Sequence, residues 1–165
     1  MDFSRDVLRG KSGELLFKRD FLDHLMIDYK DVTGDKSSQK IGIDFITSAG
    51  SYEVKSIFTD VRLKRLWLPF EEYSNYRRDC GLITDGWFKT TEADILVFAM
   101  VKRGSLIFVP LSKDFKRYYN KVLVKKTKFV LGDKSVKGDN EWYSAYRKVF
   151  LRDIRGYYSH YKKGG

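Results

Sequence analysis

The sequence is poor in the residues that stabilise small extracellular domains and structural metal sites. Its 165 residues include one cysteine, Cys80, and two histidines, His24 and His160. A single thiol excludes an intramolecular disulfide framework, and this supply of thiols and imidazoles argues against a Cys- or His-rich metal site. We expect both histidines to be packing or surface residues and Cys80 to be an incidental thiol.

Long hydrophobic runs are also missing. The longest, Ile95–Val101, has seven residues, whereas a membrane span needs about 20. The polar, acidic start of the chain, residues 1–6, does not resemble a signal peptide. We therefore expect an intracellular, cytoplasmic protein (in the host cytoplasm if virus-encoded) with no membrane partner. The length predicts one domain spanning residues 1–165.

Charge is plentiful but unevenly distributed. The net charge is +10, yet residues 1–100 carry a net charge of −2 and residues 101–165 one of +12. The second part also holds seven of the 11 tyrosines. A basic, aromatic-rich segment beside a slightly acidic one is typical of a protein that binds a polyanion such as nucleic acid. The alternative is that the excess lysines only aid solubility.

Hydrophobic periodicity predicts a helix first and strands afterwards. Apolar residues recur every three or four positions over 4–29, and a polar loop follows at 30–40. Period-two alternation then predicts a hairpin of strands 41–47 and 51–57.

The later elements are less regular. We predict an edge strand containing Pro69 at 66–73, an irregular stretch at 74–92, strands at 93–101 and 105–111, and a helix capped by Ser112. The tail fits either a helix or a short strand at 148–151. Together these elements predict an α/β fold or α+β sandwich.

The hairpin brings charged residues onto one face. If the numbers of paired residues add up to 99, Asp44 lies opposite Lys55 and diagonal to Glu53, while Phe45 and Val54 face the core. A loop of odd length would turn Asp44 to the other face. Two carboxylates can hold Mg²⁺ together with water and substrate phosphate, and a neighbouring lysine can orient water and offset charge on phosphorus.

The bare pattern Asp/Glu-x-Lys is not specific. It occurs as Asp28-Tyr29-Lys30, Glu53-Val54-Lys55 and Asp114-Phe115-Lys116. Only the middle copy lies on a period-two strand with an acidic residue on the partner strand. The alternative interpretation is a surface strand whose Glu and Lys form cross-strand pairs for solubility.

Asp44, followed by Glu53-Val54-Lys55, resembles the signature of the PD-(D/E)XK nuclease superfamily, and Gly13-Glu14 resembles the Gly-Glu pair in the first helix of many members. Gly42-Ile43 stands where the name-giving motif has proline. The stretch 86–94 is similar to the segment before a late core strand in resolvase-like and phage-type members. The resemblance covers residues 10–111, followed by the basic part 112–165.

The resemblance implies a restriction-endonuclease-like core, a central mixed β-sheet flanked by helices. It implies a Mg²⁺-dependent deoxyribonuclease, with Mn²⁺ as a substitute metal. Asp44, Glu53, Glu14 and the Val54 carbonyl would hold the metal, and Lys55 would be the catalytic lysine. An endonuclease acting on duplex or branched DNA, in the manner of a Holliday junction resolvase, and a homodimer are the corresponding expectations. The rival hypothesis is a DNA-binding domain of the same fold without turnover.

Basic residues of the second part are candidates for phosphate binding. They are Lys121, Lys125, Lys126, Lys128, Arg147, Lys148, Arg152 and Arg155. Several tyrosines are candidates for stacking on unpaired bases, with burial in the core as the alternative. They are Tyr118, Tyr119, Tyr157, Tyr158 and Tyr161.

Three further acidic residues have open roles. Glu71 or Glu72 could face the site from the third strand, and Asp94 is either a strand-end residue or a supporting residue of the metal site. Gly10-Lys11-Ser12 resembles the end of a phosphate-binding loop but lacks the required earlier glycine, because position 5 is Arg5.

Overall fold

The computed structural model describes residues 3–77, 81–137 and 140–164. The helices are α1 (Phe3–Phe17), α2 (Lys36–Lys40), α3 (Trp87–Thr90), α4 (Lys113–Tyr118) and α5 (Val124–Lys126). The strands are β1 (Tyr29–Asp31), β2 (Phe45–Thr47), β3 (Gly50–Ile57), β4 (Trp67–Arg77), β5 (Gly81–Asp85), β6 (Ile95–Met100), β7 (Ser105–Pro110), β8 (Lys128–Lys137), β9 (Asn140–Phe150) and β10 (Ser159–Lys162). Wider π-helical turns extend α1 over Lys18–Asp23 and join α4 to α5 over Tyr119–Leu123.

The strands form two sheets. The first has six strands in the order β1-β2-β3-β6-β7-β10 and is mixed, since β3 and β6 run parallel whereas the other pairs are antiparallel. The second has four antiparallel strands in the order β5-β4-β9-β8. The prediction of a mixed α/β fold with a central mixed sheet is confirmed.

Apolar side chains cover both faces of the first sheet. On one face, Leu96 and Phe98 of β6 pack against Phe70 of β4, so the main core lies between the two sheets. On the other face, Phe17 of α1 packs against Val54 of β3 in a second core. Residues such as Leu96 and Phe98 alternate with Val97, and this period-two pattern serves both cores.

A glycine lets α1 approach the first sheet closely. A Cβ atom on Gly13 would lie 2.2 Å from the Ser56 hydroxyl oxygen of β3 and 3.2 Å from the Ala99 side chain. That hydroxyl accepts a hydrogen bond from the Gly13 amide (3.0 Å) and donates one to the Gly10 carbonyl (3.0 Å). The helix is therefore fixed over β3, with Glu14 at the next position.

The β2–β3 hairpin forms as predicted, but the predicted register is wrong. Thr47 pairs with Gly50 and Phe45 with Tyr52, so paired numbers add up to 97 and the loop is the two residues Ser48 and Ala49. Two-residue loops are the commonest hairpin connections. The shift is an even one, so each side chain keeps its predicted face while its partner changes.

The predicted third strand exists but belongs to the second sheet. On the side away from β2, β3 pairs with β6 and not with β4. Pro69 is not in an edge strand, because β4 lies between β5 and β9. The β5 pairing begins only at Tyr73, so Pro69 has β9 as its one strand neighbour. This arrangement tolerates the missing amide hydrogen.

Three other predictions need correction. The loop 30–40 contains β1 and α2, where Asp35 caps α2 by accepting a hydrogen bond from the Ser38 amide (2.8 Å). The irregular stretch 74–92 contains the end of β4, then β5 and α3. The tail is neither a helix nor a strand confined to 148–151. It forms β9 and, after a 3₁₀ turn, β10, and the unpredicted β8 precedes it. Ser112 does cap α4, accepting from the Phe115 amide (3.1 Å).

Among the described helices, none combines the length and the apolar character that crossing a membrane requires.

Candidate active site

The hairpin places two carboxylates next to each other. The regular β2–β3 pairing ends at Phe45 and Tyr52, and the preceding residue, Asp44, is bonded to the part of β3 that carries Glu53 rather than paired with Lys55 as predicted. The Asp44 amide donates to the Tyr52 carbonyl (2.8 Å), and the Val54 amide donates to Asp44 Oδ2 (2.7 Å). Both ends of Asp44 are thus bonded to β3, which fixes its carboxylate beside the strand that carries Glu53 and Lys55.

Glu53 and Lys55 point toward the second sheet. They pair with Leu96 and Phe98 of β6, and residues opposite each other on neighbouring strands share a face. Lys55 Nζ lies 2.6 Å from Glu53 Oε1. The two charges therefore lie on the face of the first sheet that forms the core between the sheets, with Glu53 2% exposed.

One oxygen of Glu53 is buried without a partner. Oε2 makes no hydrogen bond, although the nearby Thr91 hydroxyl helps to lower the pKa of Glu53. That hydroxyl donates to the Gly42 carbonyl (3.1 Å), which occupies its one proton. Unsatisfied buried oxygens are uncommon in folded proteins and point to strain or to a missing ligand.

Gly42 closes the site on the side of Glu53. Its φ of +64° lies in the left-handed region, which glycine adopts without steric cost. A Cβ atom there would lie 2.9 Å from Glu53 Oε2 and 3.0 Å from the Thr91 hydroxyl oxygen. A glycine two residues before Asp44 therefore gives the Glu53 carboxylate its space.

The Val54 carbonyl faces the end of β2. Backbone groups of Tyr52 and Val54 point to the β2 side of β3, because alternate residues of a strand bond to the same neighbour. The next amide in that direction, Ile43 N–H, donates to the Ser38 carbonyl instead (3.0 Å). The ladder thus ends beside Asp44, where it leaves the Val54 carbonyl oxygen free of its regular strand partner.

Glu14 joins the carboxylate cluster from α1. Burial raises its pKa, and the charges of Asp44 and Asp31 raise it further, while Lys55 lowers it. Glu14 therefore lies close enough to Asp44 and Lys55 for their charges to act on its pKa. Of the four predicted residues, Asp44, Glu53 and Lys55 are linked by contacts along β3, and Glu14 adds its charge from α1.

The second sheet contributes two residues to the rim of the site. The Trp87 ring of α3 lies below Lys55, with Nζ 5.0 Å from the ring centroid. Glu71 Oε2 of β4 accepts from the Trp87 amide (3.3 Å). The charges of Lys55 and Glu53 both act on the pKa of Glu71. Glu71, rather than Glu72, is therefore the acidic residue of β4 that faces the site.

Burial is the largest cause of the raised pKa in all four carboxyl groups. It raises the pKa of Glu14, Asp44, Glu53 and Glu71, and nearby negative charges add to the rise. Lys55 lowers the pKa in each of the four. Lys55 thus acts on all four carboxyl groups, and Lys11 acts on Glu14 as well, but neither offsets the effect of burial.

The carboxylates do not form a complete metal cage. Within the described ranges, no group of three or more Asp, Glu, His or Cys side chains is arranged to hold a metal ion. Mg²⁺ does not require one, since it is commonly bound by one or two carboxylates, with water and substrate phosphate completing its shell. The oxygen donors of Asp44 and Glu53 fit this cation, and the unpartnered Glu53 Oε2 is the observation that favours it.

Two of the open candidates lie outside the site. Glu72 is buried beneath the second sheet, where its Oε1 accepts from the Tyr119 hydroxyl (2.8 Å) and from Arg147 Nε (2.7 Å). Asp94 is a strand-end residue, and its Oδ2 accepts from the amide and the hydroxyl of Ser51, each at 2.8 Å. Both carboxylates tie structural elements together.

Arg147 needs to be corrected as a phosphate-binding candidate. Besides its bond to Glu72, it donates through Nη1 to the carbonyls of Val124 (2.9 Å) and Thr127 (3.3 Å). Its side chain is 15% exposed. The guanidinium is therefore engaged inside the protein. The other seven candidates remain at the surface or are partly exposed: Lys121, Lys125, Lys126, Lys128, Lys148, Arg152 and Arg155.

The candidate tyrosines are packed rather than free. Tyr119 belongs to the main core, and Tyr118, Tyr157 and Tyr158 pack against it. Tyr161 packs against the second core, with its ring edge-on to Phe21. These contacts agree with the alternative that treats the tyrosines as core residues.

Sequence reasoning missed Gly42, Trp87 and Thr91 as site residues. Gly42 was noted only as a departure from the motif's proline, and its position two residues before Asp44 was the available signal. Trp87 and Thr91 lie in the segment 86–94, whose likeness to resolvase-like members assigned no role. Contacts between separate sheets do not follow from periodicity.

Comparison with known proteins gives no relative for this arrangement: no family model, curated protein or solved structure matches the chain.

Proposed function

We propose that the chain is a metal-dependent deoxyribonuclease with a restriction-endonuclease-like core. The proposed reaction is hydrolysis of a phosphodiester, in which a water oxygen bonds to phosphorus and one P–O ester bond breaks. The substrate is duplex or branched DNA, and endonucleolytic cleavage at a junction is the expected mode.

One observation carries the proposal. Glu53 and Lys55 share one face of β3, the Asp44 carboxylate is bonded to the Val54 amide between them, and the buried Glu53 has an oxygen without a hydrogen-bond partner. A surface strand whose charged residues only aid solubility would expose its Glu and Lys to water. Burial of this glutamate to 2% exposure is a poor solution for solubility and a good one for binding a cation.

Four groups would hold Mg²⁺ or Mn²⁺ in this proposal: the carboxylates of Asp44, Glu53 and Glu14 and the Val54 carbonyl. The bound ion would polarise the phosphodiester and lower the pKa of a bound water. Gly42 keeps the space beside Glu53 open. The Val54 amide holds Asp44 in place through the 2.7 Å bond to Oδ2.

Lys55 would then serve the substrate. Its ammonium neutralises Glu53 at 2.6 Å and lies over the Trp87 ring. With a divalent cation on Glu53, that ammonium is no longer needed there. It would orient the attacking water and stabilise the negative charge that develops on the phosphoryl oxygens.

A second candidate function has its own support. The close Glu53–Lys55 pair and the lack of a complete metal cage in the described residues also suit a DNA-binding domain of this fold without turnover. In that case Lys55 would act as a permanent internal counter-ion of Glu53.

The decisive experiment is a cleavage assay with purified protein. The substrates are supercoiled plasmid, linear duplex and a four-way junction, each with Mg²⁺, Mn²⁺ or EDTA. Metal-dependent cutting by the wild-type protein that is lost in Asp44→Asn and Lys55→Met supports the nuclease. Salt-sensitive binding without cutting in any metal supports the binding domain.

A matched control separates the motif from its residue types. Asp114→Asn and Lys116→Met alter the third Asp/Glu-x-Lys triplet, which lies in α4, and should leave cutting unchanged. Loss of cutting in the control variants would contradict the assignment to the hairpin.

Light scattering tests the homodimer expectation, because a junction resolvase needs two active sites.

A further inference from the structure

The outer face of the second sheet carries aromatic and basic side chains together. Trp67 lies opposite Phe150, and Pro69 opposite Lys148, in the β4–β9 pairing. Tyr146 also lies on this face, because it alternates with Lys148 along β9. Leu68 and Phe70 point the other way, into the main core. We call Trp67, Tyr146, Lys148 and Lys128 the aromatic–basic patch.

The two aromatic rings of the patch are nearly parallel. Their centroids are 5.8 Å apart and their planes differ by 4°. Both side chains are partly exposed, and both core clusters of the described residues leave them out. The two partly exposed rings are stacked on each other, and a flat, unpaired base can extend such a stack.

Two lysines of the patch occupy paired positions on neighbouring strands. Lys128 of β8 lies directly opposite Lys148 of β9, so their side chains share the outer face. Like charges placed directly opposite each other on neighbouring strands destabilise a sheet. Lys148 Nζ lies 4.4 Å from the Trp67 centroid, where the ring offers only a weak counter-charge. An anion bound between the lysines would remove this repulsion.

The patch leads to the candidate active site. Tyr146 lies opposite Glu71 in the β4–β9 register. Glu71 accepts from the Trp87 amide, and Lys55 lies over the Trp87 ring. Tyr146, Glu71 and Trp87 thus connect the patch with Lys55 through successive neighbours.

We propose that the aromatic–basic patch binds an unpaired DNA strand, with bases on Trp67 and Tyr146 and phosphates at Lys148 and Lys128. The inference deepens the proposed function, because it makes a single-stranded segment beside a duplex or branch point the substrate feature that the protein recognises. Stacking is tolerant of sequence, so we expect little base preference.

The test measures binding in EDTA, without turnover. Fluorescence anisotropy of a labelled oligo(dT) should report salt-sensitive binding, with unlabelled duplex and heparin as competitors. Trp67→Leu and Tyr146→Leu should each weaken binding by about tenfold without changing the slope of log affinity against log salt. Lys148→Gln should lower that slope by about 0.7.

Conservative variants serve as controls. Trp67→Phe keeps a ring and should retain most of the affinity, whereas Lys102→Gln removes the same charge from the turn after β6 and should leave the salt slope unchanged. Circular dichroism and the melting temperature verify folding of each variant. If Trp67→Leu unfolds the protein, tryptophan fluorescence replaces this variant as the test. Oligo(dT) should quench that fluorescence less in Trp67→Phe than in wild type if a base stacks on Trp67.

Two results would overturn the inference. One is equal competition by duplex and single strand, and the other is a Trp67→Leu variant that is folded and binds normally. The binding inference and the proposed nuclease function can fail independently of each other. Cutting with an unaffected patch rejects the patch alone, and single-strand binding that depends on Trp67 without any cutting rejects the nuclease alone.

Discussion

Two buried glutamates, Glu53 and Glu72, have similar surroundings at first sight. Glu53 is 2% and Glu72 is 5% exposed, and each has a cation nearby, Lys55 at 2.6 Å and Arg147 at 2.7 Å. They differ in how completely their charge is satisfied. Around Glu72, the Tyr119 hydroxyl and Arg147 donate to one carboxylate oxygen, and Arg147 also bonds two carbonyls.

Around Glu53 the network is incomplete. One oxygen has no hydrogen-bond partner, burial raises the pKa, and Asp44 adds a second negative charge. A complete network of buried charges holds a fold together, whereas an incomplete one stores free energy that a ligand can release. The difference is that Glu72 is tied into the fold by its two donors, whereas the unpartnered oxygen of Glu53 supports the proposal that this residue binds a cation.

Arg147→Met should have the largest effect on stability. It leaves Glu72 buried without its counter-ion, which typically lowers the free energy of unfolding by about 3–5 kcal/mol. Urea denaturation measures the change, with exposed Arg155→Met as the matched control and an expected change within about 0.5 kcal/mol. Arg147→Lys keeps the positive charge but loses the forked guanidinium. Its loss of free energy of unfolding should therefore lie between those of Arg147→Met and Arg155→Met. Equal effects at both arginines would remove the contrast.

Gly42→Ala should destabilise the site next most strongly. Its φ of +64° disfavours a side chain, and the added Cβ would meet Glu53 Oε2 at 2.9 Å. We expect a loss of about 2 kcal/mol in the free energy of unfolding, from the left-handed backbone together with this contact. Gly34→Ala is the control, since its Cβ would meet nothing within 4 Å. A stable Gly42→Ala protein would show that the carboxylate has room to move.

The sequence predicted the core of the site because its information is local. Period-two alternation over 51–57 put Glu53 and Lys55 on one face, and this face survived the error in register because the shift was even. Gly13-Glu14 was located by resemblance, and the close contact of Gly13 with Ser56 shows why glycine is needed there. Short loops and alternation leave few choices for such residues.

The rest could not be predicted because it depends on contacts between distant segments. Residues 128–137 were not recognised as a strand, since their period is interrupted by Gly132, where β8 shifts register against β9. Arg147 looked like any basic surface residue until the structure placed Glu72 beside it. Charge and spacing do not show which arginine is buried.

Glu53→Gln should stabilise the protein at neutral pH. A carboxyl group whose pKa is higher in the folded than in the unfolded chain binds its proton more tightly when folded, so its ionisation weakens the fold as pH rises above about 4.5. Removing that charge should therefore raise the free energy of unfolding at pH 7. The gain should vanish below pH 4, where both proteins are neutral at this position.

Glu72→Gln is the matched change at the glutamate with two donors and should destabilise at pH 7, since Arg147 would lose its anion. Thermal melts across the pH range measure both variants. A Glu53→Gln protein that is less stable than wild type at neutral pH would mean that Lys55 satisfies Glu53 as fully as Arg147 satisfies Glu72.

Trp87→Phe should have the smallest effect of these variants. It tests the comparison at Lys55, the cation beside Glu53. A cation over an aromatic ring is worth about 0.5–1 kcal/mol at a partly exposed site, and the indole attracts Lys55 more strongly than a benzene ring does, so the variant loses a part of this. If Lys55 leaves Glu53 for the substrate, this loss should lower the cleavage rate a few-fold in single-turnover assays and leave the melting temperature nearly unchanged. Trp142→Phe is the control, because Arg77 lies over that ring at 5.5 Å, away from the site. An equal loss of rate in both variants would show that Trp87 does not hold Lys55 in a reactive position.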